Sequence, residues 1–272
     1  MKKQLVIFVS IFLIIAMQTS MAQQPRGFVG GGFGIVPEYE GANKYEFGPA
    51  FFGRYNFDNG MYIGTEPNYS SGRAFKLYAQ LIPTSMNEVL ELGPVIQIRP
   101  GRDDVDTKEV DRMKDVDTAV ELGGGIGLDF GDLDFFFTGL ADVSDAHEGA
   151  LINLSSTYRW PFRDDLSFTF SVAGTWASDD YMQTYFGVSR SDSDRTATTG
   201  NRLRRFNADS GFKDVDFGVT ANYITPWSKN WGILGSFRYA RLLGDAEDSP
   251  LVDDVGDKNQ WFFALALSYT FW

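Results

Sequence analysis

The chain's one histidine, His147, sits in Ser144-Asp145-Ala146-His147-Glu148. Hydrolytic chemistry needs such a base beside a nucleophile and an orienting acid, and Ser144 and Asp145 are close in sequence. Catalytic triads, however, assemble from separated elements, so this polar run is expected to be a solvated loop. A second candidate chemistry is general acid–base work by paired carboxylates whose surroundings split their pKa values. Glu91, Glu121, Asp134, Asp142, Asp214 and Asp216 interrupt otherwise apolar stretches, with Arg54, Arg99 and Arg238 as candidate partners. If they share an interior, ion pairing is the expected role, with Glu91, Glu121, Asp214, Asp216 and Arg238 as charges of that interior.

Two glycine runs, Gly30-Gly31-Gly32-Phe33-Gly34 and Gly123-Gly124-Gly125-Ile126-Gly127, invite a phosphate-loop reading. Such a loop must open a helix, and both runs lie inside strand patterns. Small residues there make room for close neighbours instead. The acidic stretch around Asp103, Asp104 and Asp106 lacks the spacing and central glycine of a calcium loop. No cofactor is implied. With no cysteine, disulfides and thiolate metal sites are excluded. No enzymatic activity is expected.

The elements that carry these residues follow period two, the mark of a strand with two unlike faces. Trp261, Phe263, Leu265, Leu267, Tyr269 and Phe271 alternate with Gln260, Phe262, Ala264, Ala266, Ser268, Thr270 and Trp272, a face that is mostly small or polar. Val215, Phe217, Val219 and Tyr223 alternate with Asp214, Asp216, Thr220 and Asn222 in the same way. Twelve such segments are predicted, near 27–36, 45–56, 61–69, 74–81, 89–98, 118–129, 133–143, 150–159, 165–177, 212–224, 231–242 and 261–272. Their connections segregate by length. Residues 57–60, 82–88, 130–132, 160–164 and 225–230 are all short, whereas the opposite side receives 37–44, 70–73, 99–117, 144–149, 178–211 and 243–260, of which 99–117, 178–211 and 243–260 are long and charged. Apolar faces ending in aromatics, an even strand number and short turns opposite long loops are the properties of an outer-membrane barrel. The predicted fold is all-β: a transmembrane antiparallel up-and-down β-barrel of about twelve strands, with short periplasmic turns and long extracellular loops.

The beginning of the chain agrees. Lys2 and Lys3 precede the apolar run Leu5–Ala16, and Ser20-Met21-Ala22 offers small residues for cleavage. Residues 1–22 are predicted to be a signal peptide and 23–272 the barrel domain. The remaining chain would carry 22 basic and 36 acidic residues, which argues against a nucleic-acid partner.

Three stretches carry a resemblance. They are Val36-Pro37-Glu38-Tyr39-Glu40-Gly41-Ala42, then Ser178-Asp179-Asp180-Tyr181-Met182-Gln183-Thr184-Tyr185-Phe186-Gly187-Val188, then Gly244-Asp245-Ala246-Glu247-Asp248-Ser249-Pro250-Leu251-Val252. With Tyr269-Thr270-Phe271 they resemble the MipA/OmpV family (MltA-interacting protein) of Gram-negative outer membranes, from about residue 27 onward. The matching positions are Pro37, Tyr39, Gly41, Asp179, Asp180, Tyr181, Phe186, Gly187, Asp248, Ser249 and Pro250. Tyr269 and Phe271 match the family's assembly signal, here followed by Trp272.

The resemblance implies an outer-membrane barrel in contact with lipid and lipopolysaccharide, inserted by the barrel-assembly machinery. For the namesake member it implies a scaffold joining a murein lytic transglycosylase to a peptidoglycan synthase. Other members are porin-like, so a channel or solute-binding barrel is the alternative. A scaffold would grip its partner through the short turns: Phe57–Gly60, Thr84–Glu88, Trp160–Asp165 and Pro226–Asn230. The motifs also have local readings. Pro37 and Gly41 suit a tight turn, and the stretch from Asp179 suits a short helix capped by Ser178 or Asp179. Tyr181, Met182, Tyr185 and Phe186 would then plug the lumen or cover its rim.

Overall fold

The structure, a computed structural model, describes residues 25–68 and 73–272. The predicted signal peptide and part of the 70–73 loop lie outside them. Twelve strands follow in chain order. These are β1 (Gly27–Pro37), β2 (Tyr45–Asn56), β3 (Tyr62–Asn68), β4 (Ala74–Gln80), β5 (Leu90–Arg99), β6 (Ala119–Asp129), β7 (Leu133–Asp142), β8 (Ala150–Arg163), β9 (Leu166–Ala177), β10 (Gly211–Ile224), β11 (Trp231–Leu242) and β12 (Asn259–Phe271). Each pairs antiparallel with its sequence neighbours, and β1 pairs with β12 from Gly27↔Phe271 to Ile35↔Phe263. The sheet is thus a closed barrel with no free edge, which satisfies every strand laterally and suits a membrane interior.

Register follows the two-faced pattern. On β12 Leu265 and Leu267 are 66% and 55% exposed, while Gln260, Phe262, Ala266 and Ser268 on the opposite face are buried. A slip of one residue would turn Leu265 inward and Gln260 outward, so the burial preference of each face pins the pairing. The glycine runs lie within β1 and β6, as expected. A Cβ on Gly30 would fall 2.1 Å from the Phe52 ring, so glycine there leaves room for a lumen aromatic.

One strand end differs from expectation. The turn placed at 160–164 is continued strand: β8 runs on to Arg163, and only Asp164 and Asp165 separate it from β9. Trp160 and Phe162 pack edge-on at 5.1 Å, and Trp160 lies 5.9 Å from Phe168 on β9. The Trp160–Phe168 contact crosses the two strands and extends the ladder. Pro161, which lacks an N–H, is tolerated because the register shifts between Pro161 and Arg163. The stretch Trp160–Asp165 is therefore mostly barrel wall rather than a free turn.

The extracellular loops carry short helices. The connection between β5 and β6 contains α1 (Lys108–Asp111). That between β9 and β10 contains α2 (Asp179–Phe186) and α3 (Arg190–Thr196), then a 3-10 turn (Ala197–Thr199). The last connection contains α4 (Gly244–Asp248) and α5 (Pro250–Asp253).

Candidate functional site

The three motif stretches, remote in sequence, meet at the extracellular mouth. Helix α2 begins after Ser178, the N-cap by backbone conformation; the Ser178 hydroxyl is turned away and accepts from the Ala150 N–H at 2.9 Å. Asp179 and Asp180 stand exposed in the first turn, where the helix dipole favours negative charge. Tyr181, Met182, Tyr185 and Phe186 are all buried, packed in one cluster with the inward side chains Val95, Leu140, Leu151 and Leu242 of the wall. The helix therefore plugs the lumen.

The other motifs hold it there. The Ser249 hydroxyl donates to the Phe186 carbonyl at 2.6 Å and also accepts from the Leu251 N–H at 3.2 Å. Pro250 fills the first position of α5, where its missing N–H costs nothing. Asp248 is exposed, and its carbonyl accepts from Arg204 at 2.7 Å. Pro37 ends β1, and Gly41 adopts φ +93, where its N–H donates to the Gln260 side chain at 3.1 Å. A Cβ on Gly41 would stand 2.5 Å from the Val252 side chain. Gly187 closes α2 through its N–H to the Gln183 carbonyl at 3.0 Å. Tyr39 is buried with Val110, Met113, Leu203 and Leu251, and burial pushes its phenol up to about 12.

Beneath α2 lies a buried ionic cluster. Glu40 accepts from the Tyr181 hydroxyl at 2.8 Å, from Lys213 at 2.9 Å and from Arg99 at 3.3 Å. Lys213 also pairs with Asp214. Arg99 donates through Nε to Glu121 at 2.8 Å, and Gln97 donates to the other Glu121 oxygen. Arg99, Glu121, Lys213 and Asp214 are each 2% exposed or less. Removing one member of such a set strands an uncompensated charge, at a cost of about 3–5 kcal/mol. The cluster therefore fixes the position of α2 rather than merely tolerating it.

His147 is not the solvated loop residue expected from its polar neighbours. It is 3% exposed, with Nε2 3.1 Å from Glu121 and its ring edge-on to Tyr181 at 5.0 Å. The cause is Asp142, whose carboxylate gathers the N–H groups of Ser144, His147 and Glu148 at 2.7–2.9 Å. That folds the loop back and turns the imidazole into the mouth. Because Nδ1 accepts from the Gly149 N–H at 3.0 Å, the hydrogen lies on Nε2 and points to Glu121. Ser144 bonds Asp142, not His147. The arrangement holds a helix; it does not present a nucleophile to a base.

The remaining lumen charges lie deeper. Asp216 pairs with Arg238, whose second nitrogen donates to Ser171 at 3.2 Å. Toward the periplasm Glu91 accepts from Tyr62 at 2.8 Å, with Arg54 stacked 3.4 Å over the Tyr62 ring. Asp134 pairs with Arg159 at 3.1 Å. Glu91, Glu121, Asp214, Asp216 and Arg238 thus all face inward, though in three separate groups. Tyr269 and Phe271 face outward on β12, Tyr269 packing on Trp231 at 5.2 Å and Phe271 stacking on Tyr55 at 6.4 Å.

Glu40 and Lys213 were not foreseen as site residues. Strict alternation turns Lys213 outward when Asp214 and Asp216 point in. A bulge between Phe212 and Asp214 breaks that alternation and buries both Lys213 and Asp214. Period-two reading carries no signal for such a bulge.

Residues 29–271 match the family model described as MltA-interacting protein MipA. Curated relatives named MltA-interacting protein, from Escherichia coli (strain K12) and Shigella flexneri, are 30% identical over 113 residues. That segment spans 41% of this chain and 42% of each relative. Among solved structures, the NanC porin aligns with TM-score 0.48 and 9% identity over 89% of this chain and 98% of its own. The translocator domain of the autotransporter NalP from Neisseria meningitidis aligns with TM-score 0.45 and 11% identity, over 99% and 95%. The family match spans all three motifs that build the mouth plug, and the chain belongs to the MltA-interacting protein (MipA) family of outer-membrane β-barrels.

Proposed function

We propose that this chain is a plugged, non-catalytic barrel that anchors a murein lytic transglycosylase, and with it a peptidoglycan synthase, to the outer membrane. The observation that carries this reading is the filled mouth, where α2 and its ionic cluster occupy the space a conduit would need. A barrel whose mouth is filled in this way can hold a protein partner on its surfaces. The relatives' name, MltA-interacting protein, supplies the kind of partner. Apolar side chains stand out from the periplasmic turns, with Met86 77% and Trp227 73% exposed. They offer the small apolar grip that short turns allow. The outward aromatic and aliphatic belt meets lipid and, on the outer leaflet, lipopolysaccharide. Residues 1–22 act as a cleaved signal for export, and Tyr269 and Phe271 are read by the assembly machinery.

Immobilised folded barrel should retain a lytic transglycosylase from envelope extract. The double variant Met86→Asp, Trp227→Ala should lose it while keeping heat-modifiable gel migration. Failure of the intact barrel to retain the enzyme removes the anchor role. The competing channel reading predicts steady conductance of the intact chain in a planar bilayer, where the plugged barrel should be silent.

A further inference from the structure

Between the plug and the periplasmic end the lumen encloses a cavity of about 350 Å³, within the size range of small-molecule sites. We propose that it is a binding site for a neutral polyhydroxylated solute of one or two sugar rings. Three properties of its wall point to that class.

The first is a dense band of hydrogen-bonding groups on adjacent strands: Thr138 on β7, Asn153, Ser155 and Thr157 on β8, Thr169 and Ser171 on β9. Each hydroxyl both donates and accepts, and the Asn153 amide does the same through separate atoms. Sugar hydroxyls are complementary to such a surface. The second is aromatic surface on the same cavity, across from the band and beside it. Phe52 lies on β2, six strands from β8 in a ring of twelve, and Phe136 lines the same space. Aromatic rings suit the C–H face of a pyranose, which a purely polar cavity would leave in water. The third is charge compensation. Lys76 pairs with Glu66 at 2.8 Å, and Arg238 pairs with Asp216. The cations are neutralised within the wall, so its field selects neither anion nor cation. With the extracellular mouth filled by α2, entry is from the periplasmic end.

This site is independent of the anchoring role, since it uses no residue of the periplasmic turns. The test uses folded full-length barrel in a detergent without a sugar headgroup, with maltose as the probe and glucuronate as its charged counterpart. Saturation-transfer NMR should show maltose binding at about millimolar strength, the weak end of small-ligand affinity. Thr157→Val should weaken it by about fivefold, the loss of one neutral hydrogen bond. Ala264→Phe, which fills the cavity from β12 and leaves the hydroxyl wall intact, should abolish it. Heat-modifiable migration confirms that both variants remain barrels. No transfer to maltose in the intact chain, or undiminished transfer in Ala264→Phe, would overturn the site. Stronger binding of glucuronate than of maltose would overturn the assignment to neutral ligands.

Discussion

At the scale of single residues, the mouth is held by side chains that each serve two segments. Asp192 is the clearest titratable case outside the barrel wall. Its carboxylate accepts from the N–H of Ser189, the N-cap of α3, at 3.2 Å, and from the Lys114 N–H at 2.9 Å in the preceding long loop. Burial pushes its pKa up, but the hydrogen bonds from Ser189, Lys114 and Arg195 prevail and hold it below the ordinary value. An aspartate with a depressed folded pKa stabilises fully above its unfolded value of about 3.9, and that stabilisation is lost as pH falls through the lower folded value. Protection factors in residues 108–116 and 189–206, which correct hydrogen exchange for its intrinsic pH dependence, should therefore be unchanged between about pH 7 and pH 5, and fall below about pH 4. Asp192→Asn should flatten that acid response. If the variant keeps the full response, the acid-sensitive contact lies elsewhere. His147 teaches the complementary lesson. Its burial is set by the Asp142 carboxylate and by the two tyrosines of α2, neither of which is visible in the five residues around it.

At the scale of elements, the twelve strands were legible because each has one apolar and one mixed face. Their antiparallel neighbours are sequence neighbours, except at the β1–β12 seam that closes the ring. Helix α2 was legible too, since Tyr181, Met182, Tyr185 and Phe186 recur at helical spacing behind an acidic first turn. Less legible was whatever depends on a departure from regularity. Pro161 reads as a strand terminator, yet β8 passes through it at a register shift. Lys213 reads as outward until the Phe212/Asp214 bulge turns it in. Glu40 sits inside a recognised motif, but only the arrival of Arg99, Lys213 and Tyr181 from three other elements gives it a role. The plug, α2 with the rest of its loop, can be tested as a unit. Excising residues 178–210 and rejoining β9 to β10 with a short turn should convert a silent barrel into a conducting one in planar bilayers. A variant that folds by heat-modifiable migration yet stays silent would show that the other loops alone seal the mouth.

At the scale of the whole molecule, closure depends on one seam, β1 against β12. Phe271 lies opposite Gly27, its ring so close that a Cβ on Gly27 would meet it at 2.7 Å, and it stacks on Tyr55 of β2. Phe271→Ala should therefore lower the folded fraction seen by heat-modifiable migration, whereas deleting Trp272 should leave it largely unchanged. Equal behaviour of the two variants would mean that Phe271 is not the residue read during assembly. The plug also sets an order in time. Its bonds join Glu40 to Lys213 across 173 residues and Gly41 to Gln260 across 219. Contacts of such separation repay their loop-closure entropy only after the intervening strands have been placed. Glu40 and Gly41 come from the first hairpin, Lys213 and Gln260 from the last three strands, so these bonds are expected to form as the ring closes or after it. Where closure comes first, the barrel is hollow before it is stoppered, and the youngest closed molecules are the leakiest.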